Sequence, residues 1–169
     1  MRKFIFIWGL ILILLSSLSV SSQTVSEDTS QKEFEKEIER EVSAINAFEE
    51  GNWFISQKKY DKTIEMYRKA TELKSDYAEA YNNWGWALGE LGRYEEEIEK
   101  YKKARDLKPD YAHAWFNIAC VYSVQKKKKE ALDNLKKAIE LDPAFKEKAK
   151  RDEDFRNLWE DEDFKRLVE

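Results

Sequence analysis

Three segments of the chain repeat at a spacing of 34 residues. In register, Ala44, Ala78 and Ala112 align, as do Gly51, Gly85 and Ala119. The same spacing relates Ala70, Ala104 and Ala138, then Leu73, Leu107 and Leu141, then Tyr77, Tyr111 and Phe145. A fixed period of this length marks a unit too small to bury its own apolar face, which becomes stable by stacking on copies of itself. The units run 44–77, 78–111 and 112–145, and each divides into two helical stretches. In the second unit these are 78–91 and 94–107, broken at Gly92 and closed by Pro109. Glycine takes the left-handed conformation that ends a helix, and proline cannot continue one. No stretch alternates polar and apolar residues like a half-buried strand, so the fold class is all-α.

The flanking segments differ in kind. Arg2 and Lys3 precede an apolar run from Phe4 to Leu15, and small residues follow from Ser16 to Ser22. That order is the layout of an export signal over residues 1–22. Its apolar part falls short of the roughly 20 residues a membrane-spanning helix needs. The expectation is an exported protein, periplasmic or secreted; the alternative is an N-terminal anchor, in which membrane contact runs only through an uncleaved leader. Residues 23–30 are polar and free of aromatics, which reads as a flexible linker. Over 31–43, Phe34, Ile38 and Val42 recur every fourth residue, a single apolar stripe on a helix.

Net charge is −4 for the whole chain. Loss of the leader removes Arg2 and Lys3 and makes it two units more negative. A mildly acidic chain without a concentrated basic face does not suit nucleic-acid binding. Cys120 is the one cysteine, so no intrachain disulfide exists and stability must come from packing.

The residues of the repeat carry a family resemblance. The run Ala78-Glu-Ala-Tyr-Asn-Asn-Trp-Gly, followed by Gly92-Arg-Tyr94, Tyr101-Lys-Lys-Ala104 and Leu107-Lys-Pro109, resembles the tetratricopeptide repeat. The third unit matches through Trp115, Ala119, Tyr122, Ala131, Ala138 and Pro143, and the first through Gly51, Phe54, Tyr60, Tyr67 and Ala70. The resemblance implies antiparallel helix pairs stacked as a right-handed α-α superhelix. Two departures stand out. Glu97 and Thr63 occupy the place of Ala131, which the family keeps small, and Lys126 and Lys128 replace the Gly and Tyr of the interhelical turn. If Glu97 is enclosed between helices drawn together by Gly85 and Ala104, its carboxylate loses hydration, and replacing it by Ala stabilises the protein. Pairing with Lys100 or Arg93 would reverse the sign. After Pro143, Phe155, Leu158 and Trp159, then Phe164, Leu167 and Val168, recur at helical spacing. Residues 146–169 are expected to cap the array, with acidic residues at the helix starts.

Catalytic chemistry finds no support in the sequence. His113 and Cys120 share a helix face but lie about 10 Å apart along it, too far for one metal ion. The glycines are scattered and form no phosphate loop, and no nucleophile motif is present. The acidic run 160–163 lacks the alternating Asp/Asn and Gly of a calcium loop. No cofactor, metal or small-molecule substrate is expected, and the chain reads as no enzyme. Lys126 to Lys129 reads as a solvated turn.

The informative surface is the concave one, which the resemblance lines with the first helix of each unit. Its expected groove residues are Phe48, Asn52, Asn82, Asn83, Trp86, His113, Phe116, Asn117 and Cys120. Phe48, Trp86 and Phe116 are apolar where the repeat core does not need them. Asn83 and Asn117 are equivalent in successive units; such asparagines either hold the backbone of an extended peptide or satisfy local backbone groups. Cys120 is either a small half-buried apolar filler or a thiol for an intermolecular disulfide. Family members that grip acidic chaperone C-termini use a two-carboxylate clamp of lysine, arginine and asparagine. Asn52 and Asn83 fit it, but Phe48, His113 and Asn117 stand in the places of its cations. The function expected is an adaptor that binds a peptide or partner helix in the groove. The alternative is a structural subunit of an envelope assembly, its groove filled by its own terminal helix, forming homo-oligomers by end-to-end stacking.

Overall fold

The computed structural model describes backbone from residue 25 and side chains from residue 31 to the C-terminus. The proposed leader lies outside the described residues. The chain divides into two units, residues 1–38 and 39–169. The described part of the first is helical, with Phe34 and Ile38 exposed.

The elements are α1 (Val25–Ser56), α2 (Tyr60–Leu73), α3 (Ala78–Glu90), α4 (Tyr94–Leu107), α5 (Ala112–Val124), α6 (Lys128–Leu141) and α7 (Phe145–Ala149). A 3₁₀ turn (Glu153–Leu158) and α8 (Glu162–Val168) follow. No strand occurs among the described residues, and none of their helices is long and apolar enough to cross a membrane. The linker expected at 23–30 is not seen where it is described: from Val25 the chain is helical and runs without a break into the first helix of the first repeat. The physical reason is the lack of any proline or helix-ending glycine between Val25 and Ser56. Polarity alone does not stop a helix that later turns anchor.

In the second unit, small residues set the helix spacing. A Cβ built on Gly51 would sit 2.6 Å from the Tyr67 ring, and one on Gly85 would sit 2.8 Å from the Tyr101 ring. In the first two repeats the first helix thus lies directly on an aromatic of its partner, a place that Leu135 takes in the third. Ala70, Ala104 and Ala138 are fully buried on the second helices. The repeat helices begin without side-chain caps, so packing holds them. The tail is different. Asp152 accepts from the Asp154 N–H, and Asp161 from those of Asp163 and Phe164, fixing two short turns by local hydrogen bonds.

That tail closes the array. Phe155, Leu158, Phe164 and Val168 are buried in one cluster with Phe116, Leu135, Ala138 and Phe145. Lys128 ties it down through ion pairs to Asp161 and Asp163.

Candidate peptide-binding groove

The first helices bring four asparagines into one hydrogen-bonded chain. Asn117 Nδ2 donates to Asn82 Oδ1 at 3.0 Å, Asn82 Nδ2 to Asn83 Oδ1 at 3.3 Å, and Asn83 Nδ2 to Asn52 Oδ1 at 3.3 Å. The Tyr67 hydroxyl also donates to Asn52 Oδ1, at 2.6 Å. Burial pushes the Tyr67 phenol up to about 12, so it remains a donor. The asparagines therefore bond across successive repeats rather than to local backbone. Asn82, buried in the middle, joins its neighbours and is not groove surface. At the ends, the Asn52 amide nitrogen and the Asn117 carbonyl oxygen keep capacity for a further partner.

Beside Asn117 lies a cavity of about 810 Å³, bounded by α3, α4, α5 and the C-terminal cap. Its apolar lining includes Trp86, Tyr94, Tyr101, Phe116 and Val121. Its charged lining is uneven: five carboxylates (Glu90, Glu95, Glu97, Asp152 and Asp154) against Lys127 and Lys148. Both lysines rest over rings, Lys148 4.4 Å from the centre of Phe116 and Lys127 5.6 Å from that of Tyr122.

Glu97 is the least comfortable of these carboxylates. It fills the space left by the missing Cβ of Gly89; an atom built there would lie 2.5 Å from Oε1. Burial raises its carboxyl from 4.5 to about 7, with the negative charges of Asp154 and Glu90 adding to the effect and the Tyr101 hydroxyl opposing it. Tyr101 is raised in turn, by burial first and then by Glu97. Asp154 is raised by burial and by Asp152. Neither cation considered as a partner for Glu97 reaches it. Arg93 pairs with Glu96 at 2.7 Å, and Lys100 lies 3.8 Å over the Trp84 ring. The expected location also needs correcting: the side chain packs on Gly89, one turn beyond Gly85.

The groove residues named from sequence divide into three groups. Trp86 is exposed, edge-on to Tyr60 at 5.8 Å, and Asn83 and Asn117 are half-buried at the groove. Phe48 is half-buried between Tyr67 and Tyr77, at 5.6 and 4.8 Å, and His113 stacks on Tyr111 at 5.4 Å with the edge of Phe145 at 5.1 Å. Burial and Lys148 hold the His113 imidazole below its ordinary value. Phe116 is a correction: it is 1 % exposed, packed against Phe145 and Phe155, because the cap folds back over it. It forms cavity floor and core together.

Cys120 is buried in the apolar cluster that holds Phe116 and Leu135, as a small filler would be, and its sulfur also meets charge on one side. Its sulfur and the carboxylate oxygens of Asp152 and Asp154 lie within 4.8 Å of one another. Burial and those two charges push the thiol up. Sequence reading misses this grouping, along with Tyr94, Tyr101 and Lys148. The one signal available is Glu97 at a position that favours a small residue.

Family models match the repeat region. One described as TPR repeat matches residues 51–92 and 85–126, and one described as tetratricopeptide repeat matches residues 112–145. No curated protein sequence matches the chain. Among solved structures, the Arabidopsis OM64 TPR domain is similar at 20 % identity and a TM-score of 0.61, over 76 % of this chain and 96 % of that one. The first TPR of Spaghetti (RPAP3), bound to the HSP90 peptide SRMEEVD, is similar at 20 % identity and a TM-score of 0.60, over 75 % and 91 %. The TPR2B domain of yeast Sti1, in complex with pHsp70, is similar at 21 % identity and a TM-score of 0.60, over 70 % and 94 %. At these identities the likeness concerns the fold.

Proposed function

This chain belongs to the tetratricopeptide repeat family, and from that premise we propose that it is a non-catalytic adaptor whose concave groove holds an extended peptide or a partner helix. The observation that carries the reading is the asparagine chain from Asn117 to Asn52. It orients side-chain amides along the groove and leaves one donor and one acceptor group at its ends for a peptide backbone. Trp86 and the aromatic wall of the adjacent cavity supply apolar contact. The Spaghetti and Sti1 domains, each described in complex with a chaperone or its peptide, support a protein or peptide as partner. The export-signal layout of residues 1–22 supports an exported protein, periplasmic or secreted.

Chaperone C-termini are a poor match for this groove. Phe48 and His113 stack on rings, and Asn117 is an amide, so the carboxylate clamp lacks its cations.

The test is selection of a random peptide library on residues 23–169, followed by affinity measurement with groove variants. Aromatic anchors at an interface cost about 2 kcal/mol or more when truncated. Selected peptides should bind Trp86→Ala and Asn117→Ala at least about tenfold more weakly than the parent, which is about 1.4 kcal/mol. Equal affinity for parent and variants would remove the site from the groove. A synthetic peptide ending in Glu-Glu-Val-Asp should bind far more weakly than the selected ones.

A further inference from the structure

The cavity beside Asn117 is built from repeat and cap together. α3 contributes Glu90, α4 contributes Glu97 and Tyr101, α5 contributes Cys120, and the cap contributes Lys148, Asp152 and Asp154. An ordinary repeat groove has no need of these carboxylates. Among the described residues none of Glu97, Asp152 and Asp154 has a cation in an ion pair, although other surface acids pair freely. Gly89 is what lets the Glu97 carboxylate enter at all. A half-buried carboxylate facing another, beside open space and aromatic walls, is arranged for a positive charge that the chain does not itself supply.

We propose that the groove's partner is a peptide that places a basic side chain, arginine or lysine, into this cavity between Glu97 and Asp154. The inference rests on the adaptor reading and makes its ligand specific. Three features select this occupant. The lining carries three more carboxylates than lysines, which repels an acidic segment. The exposed rings of Trp86 and Tyr94 on the lining offer stem packing and cation–π contact to a long basic side chain. The volume of about 810 Å³ lies within the roughly 300–1,000 Å³ of ligand pockets, so a guanidinium or ammonium with its stem enters without rearrangement. Lys148 is directed over Phe116 and Phe145 and so leaves the carboxylates unpaired. The charge of Glu97 is not permanent: with its carboxyl at about 7, it is largely neutral in mild acid and largely ionised in mild base. Tyr101, Asp154 and Glu90 act on it directly, and the other titratable groups lining the cavity are Tyr94, Glu95, Cys120, Lys127, Lys148 and Asp152. Bound cation favours the ionised form, so affinity rises with pH across that window.

The experiment uses the peptides selected above on residues 23–169. The best binder is resynthesised with its basic residue replaced by norleucine, and both forms are titrated against the parent, Glu97→Gln and Glu65→Gln. Glu65 is an exposed carboxylate on α2 and controls for general attraction to an acidic protein. Selected peptides should share a lysine or arginine at a fixed position. Its replacement should weaken binding to the parent and to Glu65→Gln by about tenfold or more, but by much less on Glu97→Gln. Affinity for the parent should be higher at pH 8 than at pH 6. Groove-dependent peptides with no shared basic residue would overturn this proposal and leave the adaptor reading standing. So would a norleucine penalty equal on all three proteins. Absence of any selectable peptide, or binding indifferent to Trp86 and Asn117, would overturn both. Glu97→Gln keeps the side chain's volume over Gly89, and its melting curve confirms that the variant is folded.

Discussion

Glu97→Gln should stabilise the protein at neutral and higher pH and make no difference in acid. The carboxyl is raised from 4.5 to about 7 by burial, with Asp154 and Glu90 contributing. Between those values the folded state holds a proton that the unfolded state has lost. Stability is therefore fully retained below about pH 4.5 and falls as pH rises through 7. Each tenfold change in proton affinity is worth about 1.36 kcal/mol, which sets a ceiling of about 3.4 kcal/mol. Glu97 keeps substantial contact with water, so screening reduces the cost to about 1–2 kcal/mol. Glutamine retains the volume against Gly89 and the capacity to bond Tyr101 while removing the charge. Thermal melts at pH 8 should place the variant roughly 3–8 °C above the parent. At pH 4.5 the two midpoints should coincide. Parallel curves at all pH values would show that the carboxyl is not raised, and a less stable variant at pH 8 would mean that the charge has a partner. Glu97→Ala should move in the same direction by ~0.5–1 kcal/mol, the lost contact with Gly89 subtracting from the gain.

Three further outcomes follow from the backbone and the packing. Lys126 adopts φ 60°, the left-handed conformation that Gly92 takes at the equivalent turn, so Lys126→Gly should raise stability by about 0.5–1 kcal/mol in urea melts. Gly85→Ala should cost about 1–3 kcal/mol in the same assay, because the added Cβ meets the Tyr101 ring at 2.8 Å and the Glu97 carbonyl oxygen at 3.1 Å. Deleting residues 146–169 uncovers Phe116 and removes, besides the buried Ala149, the large buried side chains Phe155, Leu158, Phe164 and Val168, worth about 1.5–3 kcal/mol each; the shortened chain should aggregate on purification, seen by light scattering.

Local and periodic features of this structure are legible in the sequence, and features made by the non-repeating tail are not. The 34-residue register places Gly51 on Tyr67 and Gly85 on Tyr101 because both are intra-unit contacts repeated with the period. The expected helices 78–91 and 94–107 are α3 and α4, one ending a residue earlier. The asparagines stand out as a series, but Asn117 bonds to Asn82 rather than to its repeat equivalent Asn83, a detail set by side-chain rotation. Phe116 departs from the expected groove for a different reason. Its expected place follows from the repeat pattern alone, and the packing of Phe145 and Phe155 against its ring is what buries it. The grouping of Cys120 with Asp152 and Asp154 has the same origin. No periodicity relates the tail to α5, so no pattern announces what meets there.

Glu97 ties these strands together. A repeat array gains stability by keeping this position small, as the third unit does with the fully buried Ala131 and the first approximates with Thr63, whose hydroxyl donates to the Lys59 carbonyl oxygen at 3.2 Å. Only the second unit carries a carboxylate there, and only there does the adjoining first helix offer a glycine, Gly89, to receive it; its equivalents are Ile55 and Ser123. The two substitutions make sense together and not singly. Glycine inside α3 sacrifices about 0.5–1 kcal/mol of helix propensity, and the buried charge costs more. Selection for stability alone would remove both. Their joint presence beside an open acidic cavity fits a site that holds its charge in reserve, unstable when empty and relieved when a cation enters. Glu97→Gln therefore separates stability from binding: the same change that raises the melting point at pH 8 should abolish the preference for a basic side chain.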